Sequence, residues 1–166
     1  MTSAISIPIG VIIARERSAN PWQDFHWRPV RVEMNAPERG AWREIERGRD
    51  FIHYHAATLP LVLNVKEKVG YRINLANGVP SVYVVLNEPA GSNGRMPISV
   101  ARLTVSPFEI QGFGGQGTEI VERVPMPEPL VQLLHSFVED GLNGGVPGTA
   151  RMPAWPAALT QLKFGS

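Results

Sequence analysis

Lys66-Glu-Lys-Val-Gly-Tyr-Arg-Ile-Asn-Leu-Ala-Asn-Gly-Val-Pro-Ser-Val-Tyr-Val-Val-Leu-Asn87 sets the dipeptide Asn77-Gly78 between two runs rich in Tyr, Ile, Leu and Val. Asn-Gly tolerates the positive φ angles of a type I′ turn, so the stretch predicts a β-hairpin. In that register Ala76 faces Val79, Ile73 faces Val82 and Tyr71 faces Val84. One face then carries Tyr71, Ile73, Leu75, Val82, Val84 and Leu86. The other carries Arg72, Asn74, Ser81, Tyr83 and Val85, the two-sided pattern of an antiparallel sheet. Pro80 falls opposite Leu75 with its missing N–H turned outward, which predicts an open edge or a bulge there and a place for a partner strand.

On the N-terminal side, Ile5 to Arg15 reads as a strand, with Pro8 marking an edge, a bulge or the strand start. Pro29 to Met34 alternates as a second strand, and Phe51–His55 and Leu59–Val65 are two more. Ala36 to Asp50 alternates in charge around Trp42 and Ile45 and fits either a short surface helix or a solvated loop. On the C-terminal side, Ile98–Val105 and Glu119–Val124 are strands. Ser106-Pro107-Phe108-Glu109 is a helix start with capping-box spacing, and the glycines at 112, 114 and 115 end that helix after two turns. Leu130, Leu133, Leu134, Phe137 and Val138 form one apolar stripe, which predicts a helix over Pro129–Asp140. The fold class is therefore α+β: an antiparallel sheet or partly open barrel of about six or seven strands, with one C-terminal helix packed on it. The domain runs from 1 to 142, and 143–166 is a tail anchored by Trp155 and Leu162.

Composition narrows function mainly by exclusion. A chain of 166 residues can bury a core without staples. It has no cysteine, so disulfides, thiolate catalysis and Cys-bound metals are out. The net charge of +1 recruits neither nucleic acid nor an anionic membrane. No apolar run approaches the ~18 residues of a membrane span, and no secretory signal opens the chain, so a cytoplasmic protein is expected. Thirteen of the sixteen basic residues are Arg, a bias toward forked hydrogen bonding.

The chemical motifs are weak. Gly112-Phe113-Gly114-Gly115-Gln116-Gly117 spells G-x-G-x-x-G, but a helix is predicted before it and a strand after it, the reverse of a dinucleotide loop. His53 and His55 lie two apart on a strand and so share a face. Two imidazoles so placed could chelate a divalent metal, but they are one short of the usual three protein ligands. There is no G-x-S-x-G elbow, and basic residues never cluster with interleaved aromatics in the way a nucleic-acid groove requires. Trp22, Phe25 and Trp27 put three large aromatics into six positions beside Arg28. They either plug one end of the fold or present an anchor to a protein partner, since Trp and Arg dominate interface energetics.

Five blocks carry a resemblance: Ile7-Pro-Ile-Gly-Val-Ile-Ile-Ala-Arg-Glu-Arg17, Asn20-Pro-Trp22 with His26-Trp-Arg-Pro-Val30, Pro80-Ser-Val-Tyr-Val-Val-Leu86, Val105-Ser-Pro-Phe-Glu109, and Glu119-Ile-Val-Glu-Arg-Val-Pro-Met-Pro127. Together they resemble a small bacterial family of unknown function encoded beside molybdenum- or tungsten-dependent formate dehydrogenases. Some of its members are labelled as molybdenum-cofactor biosynthesis proteins. The likeness spans Ile5 to Val138 and implies an accessory role with no catalytic residues to carry over. The reading is thus a non-enzymatic accessory or binding protein, a maturation factor or small subunit for a formate dehydrogenase, with no cofactor of its own. Trp22, Trp27, Arg28 and Trp155 are its partner-surface candidates. The competing reading is an enzyme that binds a small molecule or metal through His53 and His55. Cofactor binding without catalysis is a third.

Overall fold

The computed structural model describes residues 4–19, 25–38, 42–88, 98–111 and 119–140. Among these described residues seven strands and two helices follow one another as β1 (Ala4–Arg17), β2 (Phe25–Met34), β3 (Arg43–Arg47), β4 (Phe51–Asn64), α1 (Lys68–Ala76), β5 (Ser81–Asn87), β6 (Ser99–Thr104), β7 (Glu119–Pro125) and α2 (Glu128–Asp140). A single 3-10 turn, Val65–Glu67, leads into α1. The strands form two antiparallel sheets, one ordered β2-β1-β4-β3 and one ordered β6-β5-β7. β7 lies against β2 and β6 against β4, so the smaller sheet covers part of the larger one and neither closes into a barrel. The α+β reading holds.

The core follows directly from strand periodicity. Ile5, Ile7, Ile9, Val11 and Ile13 alternate along one face of β1. They are buried with Leu61 and Leu63 of β4, Val82, Val84 and Leu86 of β5, and the α2 stripe. All five apolar residues of that stripe are buried, as their spacing predicts. Pro8 sits opposite Pro60 in the β1–β4 ladder. Neither proline can donate, so the pair fits only a non-hydrogen-bonded position whose missing N–H groups point to the outer sides. Those sides are vacant of ladder: β2 begins pairing with β1 only at Ile9, and β3 pairs with β4 no farther than His55.

The hairpin expected over Lys66–Asn87 is not formed. Only its second arm is a strand; the first is helix α1. Val69, Tyr71, Ile73 and Leu75 alternate, but Lys68, Tyr71 and Asn74 recur at helical spacing, and it is this second period that is buried. Asn77 has φ −71° and ψ 155°, so the type I′ turn is excluded. Asn74 closes the connection instead. Its Nδ2 donates to the carbonyls of Ser81 and Val105, and its Oδ1 accepts from Ser81 N, all at 2.8–2.9 Å. Tyr71 accepts from Asn64 N at 2.8 Å and packs its ring 6.0 Å from that of Phe137. Gly70 fits because a Cβ there would come within 2.3 Å of Ser106 Oγ. Long-range packing outweighed a local turn signal.

Other expectations shift with it. β5 is the central strand of its sheet, so the open edge expected near Pro80 is absent, and the Pro80 carbonyl accepts from Met126 N. Ser106 Oγ does accept from Phe108 N, yet the expected helix amounts to turns at Ser106–Gln111. Glu109, placed at capping-box distance, hydrogen-bonds the Thr104 hydroxyl instead. Within 36–50, Arg43–Arg47 is neither helix nor loop but edge strand β3. The two strands expected at 51–55 and 59–65 are one, Phe51–Asn64, with a register shift opposite Val11/Ile12 where Ala56 is the extra residue.

Candidate functional site

The core stripe of β1 does not stop at Ile13; it continues on the same face as Arg15 and Arg17. Arg15 pairs with Trp27 on β2 and with Ile52 on β4, and Arg17 pairs with Phe25. On β3, Glu44 lies opposite Tyr54 and Arg47 opposite Ile52. Cross-strand partners share a face. One end of the larger sheet therefore gathers Arg15, Arg17, Arg47, Phe25, Trp27 and Tyr54 on the side that elsewhere holds the core.

Aromatic contacts organise this end. Trp27 and Trp42 meet edge to face at 5.5 Å, Trp42 and Tyr54 at 5.5 Å, and Trp27 and Tyr54 at 6.1 Å. All three rings are half-buried. Both tryptophans rest against the hydrophobic core, so Trp27 partly plugs the end of the fold and partly faces outward. The Arg15 guanidinium lies 4.3 Å from the Phe25 ring centre and 5.9 Å from that of Trp27. Stacking of this kind holds the guanidinium plane while leaving its in-plane N–H groups free to donate. Arg47 binds Glu44 through two hydrogen bonds of 3.0 and 2.8 Å. That bond holds the Glu44 carboxyl below its ordinary range and raises Arg47.

The reverse face is organised by ion pairs and histidines. Arg28, next to Trp27 in sequence, points to this opposite side and grips Glu16 with two bonds of 3.0 and 3.1 Å. Trp27 and Arg28 thus flank β2, whose outer edge carries no strand among the described residues. Farther along that strand a groove of about 420 Å³ opens between Val32, Met34 and Pro37 and the start of α2 at Pro127 and Pro129. Trp22 and Trp155 lie outside the described residues, as does the loop Gly112–Gly117.

His53 and His55 share the reverse face, as their spacing predicts, but each has a protein neighbour. His55 is buried, with Nε2 2.8 Å from Thr58 Oγ1. The Thr58 hydroxyl gives its proton to the Pro37 carbonyl at 2.8 Å, so His55 Nε2 is the donor of that pair. His53 stacks 4.7 Å from Phe51, and its Nδ1 lies 3.3 Å from Glu46 Oε1. No group of three metal-ligating side chains occurs among the described residues. Asp50 faces Arg17 at 3.6 Å, and Glu67 accepts from Ser106 Oγ at 2.6 Å. Among the described residues no helix is long and apolar enough to cross a membrane.

Sequence reasoning found Trp27 but missed Trp42, Tyr54 and the arginines at 15, 17 and 47. The signal lay in the β1 alternation, where arginines replace isoleucines without a change of phase. What was missing was the pairing of β3 with β4, which no local pattern around 36–50 announces.

Over residues 8–143 the chain matches a protein family of unknown function, DUF3305, and it belongs to that family. No curated protein and no solved structure matches it.

Proposed function

We propose that this member of a family of unknown function is a non-enzymatic accessory protein that docks a larger protein partner along the outer edge of β2. The observation that carries the reading is the placement of Trp27 and Arg28 on the two sides of one edge strand, with Trp42 and Tyr54 backing the tryptophan. A partner that grips this edge reaches a half-buried aromatic anchor on one side and a guanidinium on the other, the residue types that dominate interface energies. Trp22 and Trp155, the other two candidates from the sequence, lie outside the described residues. The sequence resemblance supplies the class of partner: a molybdenum or tungsten formate dehydrogenase, with this chain as maturation factor or small subunit, acting in the cytoplasm.

The test is co-purification. Tagged chain from its native host is expected to recover a formate dehydrogenase subunit, and Trp42→Ala, which removes support from Trp27, is expected to reduce that recovery at least about tenfold while circular dichroism stays unchanged. Recovery of this chain alone, or undiminished recovery with a Trp27→Ala, Trp42→Ala double variant, overturns the reading.

A further inference from the structure

Where β1 and β3 end and β2 and β4 begin, four arginines converge on a cavity of about 200 Å³: Arg15, Arg17, Arg47 and Arg49, walled by Phe25 and Phe51. We propose that this cavity binds the phosphoryl group of a small organic phosphate. The proposal is independent of the partner reading, because it stands on the cavity and its charges.

A quarter of the sixteen basic residues gather here on a chain whose net charge is only +1. Two carboxylates answer them. Glu44 holds Arg47, and Asp50 meets Arg17 at 3.6 Å with both side chains mostly in solvent. Arg15 has aromatic contacts and no carboxylate within ion-pair distance among the described residues, and Arg49 likewise has none there. Among the described residues, where Glu44 also feels the charge of Arg15, the arginines around this concave site outnumber the carboxylates by two. Arg15 is held by its stack on Phe25, so its donor edge is oriented before a ligand arrives, which lowers the cost of binding. A guanidinium fork matches two oxygens of a phosphate and gives charge-assisted hydrogen bonds.

The floor of the site is fixed by the β3–β4 turn. Gly48 N donates to the Phe51 carbonyl at 2.9 Å, and Arg17 N donates to the Asp50 carbonyl at 3.0 Å. The Phe51 ring lies over Gly48 so closely that a Cβ there would fall 2.0 Å from a ring atom. Phe51 pairs with Glu16 and its ring meets that of His53 on the reverse face, so the glycine lets the ring pack behind the turn that carries Arg47, Arg49 and Asp50. The cavity has room for one or two phosphoryl groups and is too short for a nucleic-acid strand, which needs an extended basic track.

The test is calorimetric titration of the full chain with inorganic phosphate, pyrophosphate and ADP, with citrate at matched ionic strength as the carboxylate control. Saturable one-to-one binding of ADP or pyrophosphate, at least about tenfold tighter than citrate and weakening as salt rises, is expected. ADP tighter than pyrophosphate identifies an organic phosphate. Pyrophosphate tighter than ADP overturns the organic part and leaves an inorganic oxyanion site. Arg15→Gln and Arg49→Gln are each expected to weaken binding about tenfold, whereas Arg72→Gln, on α1, leaves it unchanged. Gly48→Ala, which must shift the Phe51 ring or the turn that carries Arg47 and Arg49, is expected to weaken binding. Arg28→Ala spares phosphate binding, because Arg28 faces away from the cavity and holds Glu16, so failure of partner docking and failure of this site are separable. No saturable heat with any phosphate, equal affinity for citrate, or equal loss in Arg72→Gln overturns the proposal, as does tighter binding of a long single-stranded oligonucleotide than of ADP.

Discussion

The two halves of β1 are one continuous strand with one set of facing residues, yet they do opposite work. From Ile5 to Ile13 the face is aliphatic and closed over by β5 and α2. From Arg15 to Arg17 the same face is cationic, ringed by aromatics, and opens on a cavity. Near the end of the aliphatic half both neighbouring strands shift register, β4 opposite Val11/Ile12 and β2 opposite Ile12/Ile13. Bulges of this kind raise local twist and re-aim side chains. Stability is concentrated in one half, and exposed chemistry is mounted on the other as an extension of the same rigid ladder.

That division is broken most severely from the core side. Leu134 of α2 is fully buried in the cluster that spans both sheets, and Leu134→Ala is expected to cost about 3 kcal/mol. Arg15→Ala at the other end is expected to cost under about 1 kcal/mol, since it removes cation–π contacts at a half-exposed site. Urea denaturation of the two variants checks the contrast. Equal losses would mean that the arginine end is part of the stabilising core.

Asn74 ranks next. Its side chain satisfies three backbone groups of Ser81 and Val105, and all of these bonds are buried. Asn74→Ala leaves those groups without a partner and is expected to destabilise by about 2 kcal/mol. A loss below about 0.5 kcal/mol in the same denaturation assay would show that the α1–β5 connection is held by packing alone.

Tyr71 supplies a pH test of the same buried seam. Burial pushes its phenol up to about 12, assisted by Glu109 and Glu67 and opposed by the Asn64 N–H. The unfolded phenol titrates near 10, so the folded state favours the protonated form. This contribution is whole below pH 10 and is lost as pH rises from about 10 toward 12. The stability gap between the native chain and Tyr71→Phe is expected to narrow over that window. A gap that is flat across it would show that the phenol ionises as readily folded as unfolded.

Legibility in the sequence follows the range of the interactions. The α2 stripe and the β1 alternation were readable because each is a local period facing one core. Asn77-Gly78 misled because its turn preference is worth little beside Asn74 bridging to Val105, thirty-one residues away. The same limit hid the arginine cavity. Arg15 and Arg47 become neighbours only through the β1–β4 and β4–β3 ladders, and neither ladder is announced by a two-residue turn signal. Basic residues that do not cluster with interleaved aromatics in the sequence meet them across the strands, where Arg15 lies over Phe25 and near Trp27.

The smallest effect concerns Arg28, which tests how far the functional end wraps around β2. Its bond to Glu16 is bidentate but lies at the surface, with side chains 49% and 30% exposed. Pairs of this kind contribute about 0.5 kcal/mol and are weakened by salt. Arg28→Ala is therefore expected to leave denaturation within about 0.5 kcal/mol of the native chain. It is also expected to leave phosphate binding intact, because Arg28 faces away from the cavity. Its effect on recovery of a partner is then a clean readout of geometry. A partner that grips both sides of the edge strand loses affinity with Arg28→Ala as it does with Trp27→Ala. A partner that docks on the aromatic face alone is indifferent to Arg28, and the surface shrinks to Trp27, Trp42 and Tyr54.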